Sequence, residues 1–99
     1  MSCCLAQSVR ILFPLGQTVA TPGALAALEK AGVSGWRLLQ RHQRGDWGDV
    51  SPEDSKENDS SVKNGFRILS SYGIGEGMRI WIITEADRSV TTLLLPDEY

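Results

Sequence analysis

No stretch of this chain approaches the roughly eighteen apolar residues that a membrane-crossing helix needs, so no transmembrane segment and no membrane partner are expected. Cysteine is nearly missing: Cys3 and Cys4 stand side by side and the remainder has none. Adjacent cysteines make a poor staple, and two thiols cannot complete a zinc site by themselves. The expectation is therefore a reducing, cytoplasmic setting with no metal. Neither sign of charge dominates, with 10 Lys and Arg against 12 Asp and Glu, a net charge of -2 and a pI near 5.3. Without a global basic field, RNA is disfavoured as a partner and any polyanion site must be local.

The opening MSCCLAQSVRILFPLG has no basic segment ahead of its short apolar run, and Pro14 and Gly16 interrupt that run, which argues against a signal peptide. At 99 residues and 41% hydrophobic content, the chain is long enough for one small core. The expected organisation is a disordered leader over 1–9 and a single α+β domain over 10–99.

VRILFPLG (9–16) reads as a strand that Pro14 confines to an edge or to a strand end. Such an edge invites strand-to-strand pairing, including a homodimer. In TVATPGALAALEKAGV, Thr21 is placed to cap a helix that begins at Pro22 and stops at Gly32. Ser34 is placed to cap a second helix that runs to about Arg44, with Arg37, Arg41 and Arg44 on one face. Ser51 and Pro52 start a third, over 51–65, whose only large apolar side chain is Val62, so a partly mobile loop is an alternative there. From Phe66 the period becomes two: FRILSSY, MRIWIIT and SVTTLLL are strands of an antiparallel meander. The fold class follows as α+β, helices packed on a small antiparallel sheet in the order β-α-α-(α)-β-β-β. Its expected core comprises Leu12, Leu25, Leu28, Leu39, Ile68, Ile80, Ile82, Leu93 and Trp81.

Signals for chemistry are sparse. The acidic run from Asp46 to Asp59 lacks the alternating ligands of a calcium loop. GIGEG (73–77) joins two strands instead of opening a helix, so it is a hairpin turn and no cofactor is expected. His42 is the one side chain whose ordinary pKa suits acid-base work near neutrality. Beside it stands GDWGD (45–49), in which Asp46 and Asp49 can accept turn N–H bonds around Trp47. That loop either plugs the fold with Trp47 packed inward against Trp36 or the sheet, the favoured reading, or presents Asp46, Trp47 and Asp49, with Arg88, to a protein partner.

GQTVATPGALAALEKAG, RHQRGDWGD, RILSSY and IWIITEADRSVTTLLLPDEY together resemble a family of small uncharacterised bacterial proteins carried on plasmids, gene cassettes and other mobile elements. The resemblance runs from about Ile11 to Tyr99 and implies a stand-alone accessory protein without an assigned activity, its first nine residues an added leader or a misplaced start. A fainter resemblance, to small RNases of the barnase and RelE type, implies a metal-independent site of His42, Arg67, Ser70 or Ser71, and Thr84 or Thr92. Two expectations follow: a non-catalytic binding or regulatory module acting on a protein partner, or a toxin-type RNase. They part on whether His42 shares one cleft with Arg67 and the hydroxyls.

Overall fold

The computed structural model describes residues 11–99. The expected leader and both cysteines lie outside the described residues. Strand β1 (Gln17–Ala20) is followed by helices α1 (Pro22–Ala31), α2 (Gly35–Gln43) and α3 (Pro52–Asn64). Strands β2 (Ile68–Gly75), β3 (Met78–Thr84) and β4 (Val90–Leu94) complete a four-stranded sheet of order β1-β4-β3-β2. The fold is α+β, as expected, and the meander is antiparallel. The sheet as a whole is mixed, because β1 lies parallel to β4.

The helix ends follow local chemistry. Thr21 Oγ1 accepts from the Ala24 N–H at 3.0 Å and Ser51 Oγ from the Asp54 N–H at 3.1 Å, satisfying donors that have no partner within the helix. α1 and α3 stop at Gly32 and Gly65, both left-handed. α3 is a continuous helix of 13 residues, not a loop, although it buries little apolar surface. The β2–β3 turn is Glu76–Gly77 with both residues at positive φ, the geometry that suits the twist of a two-residue hairpin.

The first strand begins later than the sequence suggests: residues 11–16 are irregular. Pro14 has no N–H for a ladder, yet Phe13 and Leu15 still turn inward and are buried. The core also differs from expectation. Leu25 is 57% exposed and Leu12 is exposed as well, while Trp81 is half-buried. On α1 the inward stripe is Ala24, Ala27 and Leu28, and Leu25, one position on from Ala24, is turned about 100° away from it. Ile68, Ile80, Ile82 and Leu93 are buried as expected, joined by Tyr72, Trp47, Leu38 and Ile74.

Register divides the sheet into two faces. Ile68 opposes Thr84, Ser70 opposes Ile82, Tyr72 opposes Ile80, and Thr84 opposes Thr91, so these side chains share the face that α2 covers. Leu69, Trp81, Ile83 and Thr92 lie on the other face, where Tyr99 meets Trp81 edge-on at 5.7 Å.

The outer edge of β2 is closed by the chain itself. The Ser71 N–H donates to the Trp47 carbonyl at 3.0 Å and the Asp49 N–H to the Ser71 carbonyl at 2.7 Å. Two residues earlier, the Asn58 side-chain amide donates to the Leu69 carbonyl at 2.8 Å and accepts from its N–H at 3.3 Å, imitating a neighbouring strand. Gly48 makes this approach feasible, since a Cβ there would strike the Ser71 carbonyl. Gly65 has the same φ, 76°, but open space around it. Gly65→Ala is expected to cost about 1 kcal/mol from the left-handed backbone alone. Gly48→Ala adds a clash with the backbone and is expected to cost at least about 2 kcal/mol more, measurable by urea unfolding of both variants.

Candidate functional site

Two places bear on function: the surroundings of His42, and the unsealed side of β1. His42 sits in the last turn of α2 and is fully buried, at 0% exposure. Its Nδ1 lies 2.6 Å from Ser70 Oγ and its Nε2 2.9 Å from Thr84 Oγ1. Thr84 Oγ1 lies 2.7 Å from Thr91 Oγ1, and Thr91 donates to the Leu15 carbonyl at 2.7 Å. Counting protons orients the chain. Thr91 spends its proton on Leu15, so Thr84 donates to Thr91, His42 Nε2–H donates to Thr84, and Ser70 donates to Nδ1. Both ring nitrogens are therefore occupied, and among the described residues no buried side-chain polar atom lacks a partner.

The ring is further enclosed by Phe13 and Trp47, each edge-on, at centroid distances of 5.2 and 5.8 Å. Burial, with a smaller contribution from the Arg88 charge, pushes the His42 pKa down to about 3, so the imidazole is neutral across the physiological range.

The residues expected to share a catalytic cleft are divided between two faces. Ser70 and Thr84 do reach His42, but inside the core. Arg67 is exposed, donates to the Tyr99 hydroxyl at 2.9 Å and lies 3.5 Å from Glu85. Thr92 also points away from the helices, opposite Ile83. Ser71 is on that side too, where its Oγ accepts from Arg79.

The expected partner-binding residues are likewise engaged within the chain. Trp47 is 4% exposed, stacks on Phe13 at 6.2 Å and donates its indole N–H to Asp59 at 3.0 Å. It is the inward plug, but against Phe13 and His42 instead of Trp36, and its acceptor comes from α3, not from the turn aspartates. Asp46 forms a two-point pair with Arg41 at 2.7 and 3.3 Å, and its carboxyl is held below the usual range chiefly by that bond. Asp49 pairs with Arg79 at 3.0 Å. Arg88 serves four carbonyls, Phe66, Glu85 and Ala86 through one nitrogen and Ser61 through the other, tying the end of α3 to the β3–β4 hairpin. Its own backbone is left-handed, at φ 62°. A residue in that conformation needs its surroundings to hold it, and these carbonyls do so.

On the other side of the sheet, the sequence led to an open edge strand over 9–16; the edge strand is Gln17–Ala20, and the groove beside it was not foreseen. The Gln17 N–H donates to Ser89 and the Thr21 N–H to Leu93, so odd-numbered residues of β1 face β4. By alternation, the N–H and C=O groups of Thr18 and Ala20 face outward. Beside this edge lies a groove of about 530 Å³ between β1, α1 and α2, lined largely by Val19, Leu25, Leu28, Trp36, Leu39 and Leu93. Trp36 is 61% exposed. The legible signal was Trp36 itself: it lies on the flank of α2, away from the stripe of Leu38, Leu39 and His42.

Among the described residues no helix is long and apolar enough to cross a membrane, and no group of three or more His, Cys, Asp or Glu is placed to hold a metal ion. The chain matches no protein-family model, no curated protein and no solved structure.

Proposed function

We propose that this protein is a non-catalytic binding module that takes an extended segment of a partner protein along the outer edge of β1. One observation carries the reading. The β2 edge is sealed by Trp47, Asp49 and Asn58, whereas the β1 edge keeps unpaired backbone groups beside exposed apolar side chains. Unpaired N–H and C=O groups in a row call for another backbone, and the groove beside them calls for an apolar side chain at alternate positions. A second copy would add its own β1 about a two-fold axis, presenting Thr18 and Ala20 on the helix side, and these are too short to fill the groove. A partner strand with larger apolar residues fits better. A mobile-element accessory role of the kind the sequence resemblance implies would suit such a module.

Catalysis has less support. His42 has neither solvent access nor a free nitrogen, and Arg67 lies on the opposite face, so an RNase of the barnase or RelE type lacks its acid-base group at a surface.

The test is selection from a displayed random-peptide library on the wild-type protein, with counter-selection on the double variant Thr18→Pro and Trp36→Ser. Proline at position 18 removes an outward N–H without touching the ladder to β4. Enriched peptides with apolar residues at alternate positions, shifting Trp36 emission and bound at least tenfold more weakly by the variant, are expected. Peptides that bind wild type and variant equally, or a stable dimer in gel filtration that excludes all peptides, would overturn the reading.

A further inference from the structure

A second cavity, of about 460 Å³, opens between α2 and the far part of β2, away from the β1 groove. Its lining includes Arg37, Arg41 and Arg44 with Val33, Leu38 and Gly73, and no carboxylate. Arg37 and Arg41 lie on α2, about 6 Å apart along the axis at about 1.5 Å per residue, and Arg44 is the residue that ends the helix. The middle one is fixed in place: Arg41 is held by both oxygens of Asp46 and lies over the Tyr72 ring at 4.6 Å. Arg37 and Arg44 are exposed, and among the described residues no carboxylate lies within ion-pair distance of either. Gly73 itself adds no side chain to the opposite wall, and the Asp49 carboxylate that lies close to it is paired with Arg79.

We infer that this cleft binds a small polyphosphate, with Arg37 and Arg44 donating to successive phosphate groups from either side of Arg41. Planar guanidinium forks suit phosphate oxygens, and like charges crowded along one helix face are relieved by an anion shared between them. A cavity of this volume lies in the range of small-ligand sites. The overall charge of -2 gives no long-range attraction to a nucleic-acid strand, which favours a short ligand held locally over a long backbone. The inference is independent of the β1 groove.

Calorimetric titration of the full chain with pyrophosphate and tripolyphosphate at low ionic strength tests it, with inorganic phosphate and a short oligouridine RNA as comparison ligands. Saturable one-site binding is expected, tightest for tripolyphosphate, weakening with added salt and falling at least tenfold in the double variant Arg37→Gln and Arg44→Gln. The control pair Lys56→Gln and Lys63→Gln removes the same charge from exposed positions on α3 and should leave affinity within about twofold. Unchanged melting temperatures would show both variants folded. In nitrogen-15 spectra the amides of Val33, Leu38 and Gly73 should shift on binding. Lack of saturable binding, equal losses in the two variant pairs, or binding of the RNA without binding of tripolyphosphate would overturn the inference.

Discussion

Replacing Trp47 with alanine is expected to destabilise the protein by about 3 to 5 kcal/mol, a large share of what a domain of this size has. The indole packs against both Phe13 and His42, and its N–H reaches Asp59 on α3. Removing it opens a cavity beside a buried polar chain and detaches the loop that closes the edge of β2. The melting temperature should fall by more than about 10 °C. Trp47→Phe keeps most of the apolar contact and loses one hydrogen bond to an exposed carboxylate, so about 1 to 2 kcal/mol is expected. Emission separates the tryptophans: Trp36 is exposed and Trp81 half-buried, so the phenylalanine variant should lose the blue-shifted component selectively. A loss below about 1 kcal/mol on truncation to alanine would show that the loop does not plug the fold.

The second large effect is expected at His42. Truncation to alanine leaves the buried Ser70 hydroxyl without its acceptor, strips Thr84 of the imidazole donor while its bond to Thr91 remains, and opens a cavity, so a loss of at least about 3 kcal/mol is expected. The same residue imposes a pH dependence. Its folded pKa, about 3, lies below the ordinary value of 6.5, so between these limits the unfolded chain binds a proton that the folded chain does not. Stability therefore falls as pH falls through that window and is unaffected by this group above it. The slope approaches about 1.4 kcal/mol per pH unit, which amounts to about 1.5 kcal/mol between pH 6.5 and 5. Asp46, Asp87 and Glu98, whose carboxyls are held low in the folded chain, lose their own contributions only below about pH 4.5, so the interval from pH 6.5 to 5 isolates the histidine. Urea unfolding across that interval should show the slope in the wild type and its disappearance in His42→Gln. A wild-type stability that is flat there, or a His42 ring proton that titrates near pH 6.5, would place the imidazole in water.

Most of the architecture was legible in local sequence. Thr21-Pro22 and Ser51-Pro52 announce helix starts, Gly32 and Gly65 announce ends, and the change to a period of two after Phe66 marks three strands. Each of these signals acts within a few residues, through a cap, a permitted φ or an alternating face, and needs no distant partner. The inward turn of Trp47 was legible in the same way, as the one large side chain in a loop made of glycine and aspartate.

What only the tertiary structure decided is where residues distant in the chain meet. Parallel pairing of β1 with β4 joins segments some seventy positions apart, and nothing within Gln17–Ala20 specifies that neighbour. His42, Ser70, Thr84 and Thr91 belong to four separate elements, and their composition suits a catalytic site as well as it suits a buried chain of hydrogen bonds. Burial separates the two, by occupying both nitrogens and holding the ring neutral. Arg67 and Thr92 lie away from His42 for a geometric reason, since alternation along a strand places neighbours on opposite faces and only the packing of α2 determines which face is inside. Sequence by itself thus determined the elements and their ends, because caps, turns and periodicity are local energies. Tertiary packing decided which edge of the sheet is closed, which is open and which polar groups are shut away from water, because each of these depends on the free energy of contacts between segments that the chain brings together only on folding.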